Sequence, residues 1–223
     1  MWRAQFAGKK HLASDIWEFR FSRPEGYEYL PGQYAIFSFP EPLEDPRGRT
    51  RTMSFTSHPH DDSLAFVTRI PAGASLFKQR LSTMQQGETL LVDAALGDLV
   101  LPRAVTTPLV FVAGGIGIAS YISMLHDMER SGESRSVSLL YALRNHEERL
   151  FTELLGRFPF ASYGEYVTPN RLDTGTILRT SADESDTLYY LSGTERFVEG
   201  LRADLLTLGL TDTQIAFDYF TGY

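Results

Sequence analysis

The rhythm of apolar residues changes near residue 105, at a seam bounded by Pro102 and Pro108, and this limits the possible folds more than any other feature. Before the seam, short segments alternate apolar and polar residues at period two, as half-buried strands do. Residues 16–21, 34–39, 63–70 and 88–92 are such segments. Between them lie the turn formers Pro24-Glu25-Gly26, Pro31-Gly32, Pro46-Arg47-Gly48 and Pro71-Ala72-Gly73. Many short strands at close spacing predict a small antiparallel β-barrel. One helix interrupts it, capped by Ser75 and carrying Leu76, Arg80, Leu81 and Met84.

Beyond the seam, strands and helices alternate. Residues 109–113 read as a strand, and Tyr121, Met124, Leu125 and Met128 then mark one apolar helical face that ends at Gly132. Strands at 137–142, 188–191 and 215–217 are separated by helices at 150–158 and from Thr194 to a stop at Gly209. The second helix carries Phe197, Leu201, Leu205 and Leu208. Alternation of this kind predicts an α/β domain on a parallel sheet, with ligands at the carboxyl ends of the strands. Two domains are expected, at residues 1–102 and 106–223.

Composition removes whole classes of function. The 223 residues are 43% hydrophobic and 22% charged, an ordinary globular balance. No apolar run approaches the ~20 residues of a membrane span. The amino terminus lacks the apolar core of a signal peptide, so a cytoplasmic location is expected. Cysteine is absent, which excludes disulfides, thiolate zinc sites and cysteine-held iron–sulfur clusters. The five histidines lack metal-ligand company, so no metal is expected. A net charge of −7 argues against nucleic acid as a partner, although Lys9, Lys10, Arg47, Arg49 and Arg51 gather positive charge in the first half. Neither a Gly-x-Ser-x-Gly elbow nor a P-loop lysine is present. Any electron carrier must therefore be organic and held without a cysteine link.

Several short motifs point to phosphate-bearing ligands. Gly73-Ala74-Ser75 opens a helix in the first half, and Gly114-Gly115-Ile116-Gly117 joins a strand to a helix in the second. Glycine turns into helices present unpaired N–H groups and a positive dipole end. The second loop reads either as a dinucleotide cradle or as a turn that packs strand on helix. Ser192-Gly193-Thr194 opens another helix at a neighbouring strand end, where Thr194 serves as a cap, a ligand contact, or both. Arg51 and Ser54 read as a pyrophosphate clamp with a hydroxyl for a heterocycle, or as a surface arginine on a core strand. On such a strand Arg51, Met53 and Phe55 share one side, and Thr52, Ser54 and Thr56 the other. Tyr223 ends the chain with a ring that either stacks on a flat ligand or frays.

Taken together, these motifs resemble the ferredoxin–NADP reductase superfamily. Arg51-Thr52-Met53-Ser54 is similar to its R-x-Y-S flavin motif, and Pro31-Gly32-Gln33-Tyr34 to its P-G-Q-[YF] strand start. Gly73-Ala74-Ser75-Leu76-Phe77 resembles the flavin pyrophosphate loop. Gly114-Gly115-Ile116-Gly117-Ile118 resembles the nicotinamide-nucleotide loop, and Ser192-Gly193-Thr194 stands where C-G-P is usual. The resemblance implies a six-stranded FAD-binding barrel followed by an NAD(P)-binding α/β domain. It implies that Arg51 holds the flavin pyrophosphate and that Ser54 lies near flavin N5, with Thr52 and Met53 between them. Thr68, Arg69 and Ile70 would border the ribityl chain and phosphates, and Gly73, Ala74 and Ser75 the pyrophosphate. Gly114, Gly115, Ile116, Gly117, Ser192, Gly193 and Thr194 would hold the coenzyme.

On this resemblance the chain is expected to be a monomeric flavin-dependent reductase with Ser54, Ser192 and Tyr223 in catalytic positions. Hydride would pass from NADPH or NADH to FAD, and single electrons to a separate acceptor of ferredoxin or flavodoxin type. Three departures keep an alternative open. Met53 replaces the tyrosine that stacks on the flavin, Ser192 the cysteine near the nicotinamide, and Ser120 a proline after the glycine loop. The alternative is a non-catalytic flavin or nucleotide sensor, or an electron-transfer subunit silent without its partner. Arg144 and Arg171 are candidate contacts to an NADP phosphate, while Glu147 and Glu148 would oppose one.

Overall fold

A computed structural model describes residues 1–180 and 186–220. Tyr223 lies outside the described residues, and so does its expected catalytic contact. The first half contains β1 (Trp2–Ala13), β2 (Ile16–Ser22), β3 (Tyr34–Ser38), β4 (Thr50–Ser54), β5 (Ser63–Arg69), helix α1 (Leu76–Ser82) and β6 (Thr89–Val92). Its strands form one antiparallel sheet in the order β4-β3-β6-β1-β2-β5. A bridge between Phe55 and Phe66, and a 2.8 Å bond from the Thr56 N–H to the Ala65 carbonyl, bring its two ends together. The sheet thereby curls into a barrel, which disposes of its exposed edges.

Aromatic residues fill the barrel. Phe19, Phe21, Phe37, Phe55 and Phe66 are fully buried, and Phe77 and Leu81 of α1 pack onto the same cluster. The inward face of α1 sits one residue away from the expected one: Leu76 is exposed, whereas Phe77, Lys78 and Leu81 are buried. The cause is local. The Phe77 N–H donates to the buried Asp45 carboxylate at 2.9 Å, which turns this side of the helix inward. Ser75 caps the helix as the sequence implies, accepting from the Lys78 N–H.

The second half runs β7 (Leu109–Gly114), α2 (Ala119–Ser131), β8 (Val137–Leu143), α3 (Thr152–Arg157), β9 (Ser162–Val167), α4 (Thr174–Arg179), β10 (Leu188–Thr194), α5 (Glu195–Thr207) and β11 (Ile215–Phe220). The five strands are parallel, in the order β11-β10-β7-β8-β9. One face packs on α2 through Tyr121, Ile122, Met124, Leu125 and Met128. The other packs on α5 through Val198, Leu201 and Leu205.

Several elements differ from the sequence reading. The helix expected over 150–158 is confined to α3, because Phe151 takes a left-handed φ of 54° just before it. β9 and α4 were not expected. β11 continues to Phe220, and Leu208 is exposed beyond the end of α5.

Polar ties join the halves. Gly32, at φ 94°, donates its N–H to Ser123 Oγ at 2.8 Å. A Cβ at Gly32 would lie 2.1 Å from both the Leu99 carbonyl oxygen and the Met124 methyl, so no side chain fits there. His58 Nε2 lies 3.0 Å from Asp127 of α2, and Arg130 pairs with Asp61 at 2.6 Å.

Candidate functional site

A cavity of about 740 Å³ opens at the junction of the barrel with the carboxyl end of β11. That volume is in the range of small-molecule and cofactor sites. The barrel side is formed by Tyr34, by Arg51, Thr52, Met53 and Ser54 of β4, by Thr68 and Arg69 of β5, and by Ala74 and Lys78 around α1. From the second half come Ile116, Ala119 and the run Phe217, Asp218, Tyr219 and Phe220.

β4 alternates over its first four residues, with Arg51 and Met53 buried and Thr50 and Thr52 exposed. The alternation in exposure fails at Ser54, which is buried because the second half covers it. Its hydroxyl donates to Asp218 of β11 at 3.4 Å, and Ser120 Oγ of α2 lies 3.5 Å from it. Ser120 in turn lies 3.1 Å from Ser192 Oγ at the end of β10. A line of hydroxyls thus runs from Ser192 through Ser120 to Ser54 and ends on a carboxyl. Burial raises the Asp218 carboxyl to about 6, although hydrogen bonds from Ser54 and the Tyr219 backbone oppose the rise. Near neutral pH this is a proton-exchanging group.

The cations around the cavity are differently engaged. Arg51 pairs with the buried Asp45 at 2.9 Å and donates to the Gly48 carbonyl at 2.9 Å and the Thr50 carbonyl at 2.6 Å. Its guanidinium also lies 5.3 Å from the Phe77 ring centre. Burial works against the Asp45 carboxylate, but the Phe77 and Arg47 N–H groups and the Arg51 charge hold it below its ordinary value. Arg69 bridges the halves, pairing with Asp15 of the β1–β2 turn at 2.6 Å and with Glu148 beyond β8. Met53 lines the cavity and also belongs to the barrel core.

Other expected site residues lie apart from the cavity lining. Gly73, at φ 74°, offers its carbonyl to Arg47, and Ser75 is fully buried as the cap of α1. Ile70 donates its N–H to the Asp15 carbonyl at 2.7 Å. Gly114 and Gly193 both abut the Phe197 ring, where a Cβ would come within 2.8 and 2.9 Å. A Cβ on Gly117 would lie 2.3 Å from the Ser192 carbonyl oxygen. These glycines bring the β7 and β10 loops into contact. Gly115, at φ 55°, has no neighbour within 4 Å of a Cβ position. Thr194 caps α5, accepting from the Phe197 N–H.

Asp45, Lys78 and Asp218 are the site residues the sequence reading missed. An acid inside the otherwise apolar run Phe217-Asp218-Tyr219-Phe220 is a signal for the third. A lysine beside Phe77 and one turn before Leu81 is a signal for the second.

No protein-family model matches the chain. The chain superposes on a ferredoxin NADP+ reductase from Neisseria gonorrhoeae solved with bound FAD and NADP, with a TM-score of 0.80 and 24% identity over 97% of each chain. The chain therefore has the two-domain fold of a ferredoxin NADP+ reductase. Sequence relatives of the chain include reductase and electron-transfer components of dioxygenase systems. The reductase component of a Ralstonia sp. naphthalene 1,2-dioxygenase/salicylate 5-hydroxylase system is 29% identical over 92% of this chain and 65% of its own length. The electron transfer component of Acinetobacter baylyi anthranilate 1,2-dioxygenase is 31% identical over 61% of this chain and 39% of its own length. The chain therefore spans from 39% to 65% of the length of these two relatives.

Proposed function

We propose that the chain is an NAD(P)H-dependent flavin reductase that binds FAD in the junction cavity and passes electrons to a separate acceptor protein or domain of ferredoxin or flavodoxin type. The observation that carries this reading is the cavity itself. Strand β4 and an acid on β11 converge there on one polar point, Ser54, beside a cluster of cations. The residues present fit a flavin dinucleotide: hydroxyls and an acid at one place, cations at another, and apolar walls from Met53, Ile116 and Phe217 between. The barrel, over 1–102, forms the flavin side, and residues 106–223 form the coenzyme side.

When bound, FAD supplies hydride acceptance and one-electron release, which no side chain of this protein supplies. Ser54 orients the cofactor's polar edge, and Asp218 holds or releases a proton at the Ser54 hydroxyl. Arg69, pinned between Asp15 and Glu148, fixes the two halves relative to each other. The β7 and β10 loops, which Gly114, Gly117 and Gly193 bring into contact, would hold the nicotinamide coenzyme.

The test is uptake of FAD by the purified chain, followed by anaerobic addition of NADPH or NADH. Uptake with bleaching supports the reading. Uptake without bleaching by either coenzyme favours a sensor or a subunit silent without its partner.

A further inference from the structure

Four cations reach the cavity, and three have a protein oxygen to meet them. Arg51 is held by Asp45 and by loop carbonyls. Arg69 is held by Asp15 and Glu148. Arg47 donates to the Gly73 carbonyl at 2.9 Å. Lys78 is different: it is 9% exposed and lines the cavity, and among the described residues no acceptor meets its ammonium. A buried ammonium without a partner is unfavourable, and proteins normally pair such a group.

We infer that Lys78 is a further residue that binds the phosphate of the cavity's ligand, so that this chain holds the diphosphate of FAD through Lys78 as well as through Arg51. The inference rests on the flavin reading above. Arg51 also braces α1 through Asp45 and Phe77. Lys78, on the same helix and one residue further on, projects a charge that no acceptor among the described residues meets. Its surroundings agree. Burial lowers the ammonium to about 8, Arg51, Arg47 and Arg69 press in the same direction, and Asp15 opposes them. A phosphate arriving in the cavity supplies the missing counter-charge.

The test compares Lys78→Met and Lys78→Arg with the unaltered chain for binding of FAD, FMN and riboflavin, three flavins that differ in phosphate content. Loss of a charge-assisted hydrogen bond weakens FAD binding by about ten- to a hundredfold in Lys78→Met. Riboflavin affinity is expected to stay the same, and Lys78→Arg to retain most of the FAD affinity. An equal loss for FMN also supports the inference and assigns the contact to the phosphate both ligands share. Without flavin, Lys78→Met is expected to melt no lower than the unaltered chain, which separates loss of binding from loss of fold. Equal FAD affinity in Lys78→Met and the unaltered chain overturns the inference alone. Equal weakening of FAD and riboflavin overturns it too, since the side chain would then act by shape. Failure of the unaltered chain to bind any flavin overturns both this inference and the flavin reading.

Discussion

Replacing Asp218 by asparagine should stabilise the protein, and the gain should depend on pH. The ordinary value of this carboxyl is 3.8, and burial lifts it to about 6 in the fold. The folded state therefore holds the proton more tightly than the unfolded chain. Ionisation removes stability as pH rises, beginning near the unfolded value and levelling off above the folded one. At about 1.4 kcal/mol per pH unit, the full difference is roughly 3 kcal/mol. Asp218 is partly exposed, and screening by water brings this to about 2 kcal/mol. For a chain of this length about 1 kcal/mol corresponds to about 2–4 °C. Asp218→Asn keeps an acceptor for the Ser54 hydroxyl while removing the charge. Circular-dichroism melts between pH 4 and pH 8 should show the two proteins nearly coincident at the acid end. The variant should gain roughly 4–8 °C by pH 7, with no further gain above. A constant offset across this range, or a lower melting temperature for the variant at pH 7.5, would refute the argument that Asp218 is an acid held in a poorly solvated seam.

Two other substitutions probe the scaffold around the cavity. Asp45→Asn leaves the buried Arg51 charge without its counter-ion and weakens the tie to the Phe77 N–H, so denaturant melts should record a loss of about 3–5 kcal/mol. Gly117→Ala places a Cβ 2.3 Å from the Ser192 carbonyl oxygen, and the β7 and β10 loops must part. The expected destabilisation is about 1–3 kcal/mol, and a melting temperature equal to that of the unaltered chain would show that the loops are not in close contact.

Periodicity made the two-part architecture legible in advance, because apolar and polar residues alternate over 18–22 and α2 carries a regular apolar stripe. β1 escaped because its run Gly8-Lys9-Lys10-His11 is polar on both faces. Register shifts on either side of that run let the strand bend to pair with both β2 and β6. β9 escaped for a related reason. It lies at the sheet edge, none of its residues is fully buried, and its sequence Ser-Tyr-Gly-Glu-Tyr-Val lacks an apolar core face. α4 is only six residues long, too short for a periodic signal.

The glycine turns and Ser54 were readable as motifs, because turn chemistry and strand alternation are local. The state of each cation was not. That Arg51 is neutralised by Asp45, that Arg69 spans both halves and that Lys78 is left facing the cavity depends on residues far apart in the chain. Asp218 belongs to the same class, since 164 positions separate it from Ser54.

The central claim is that this cavity holds a flavin which a nicotinamide coenzyme reduces. The most direct measurement is the visible spectrum of the purified protein after incubation with FAD and removal of excess, followed by anaerobic mixing with NADH and with NADPH. A yellow protein whose colour is bleached by one or both coenzymes is the predicted result. A protein that stays colourless after incubation with FAD would contradict the account.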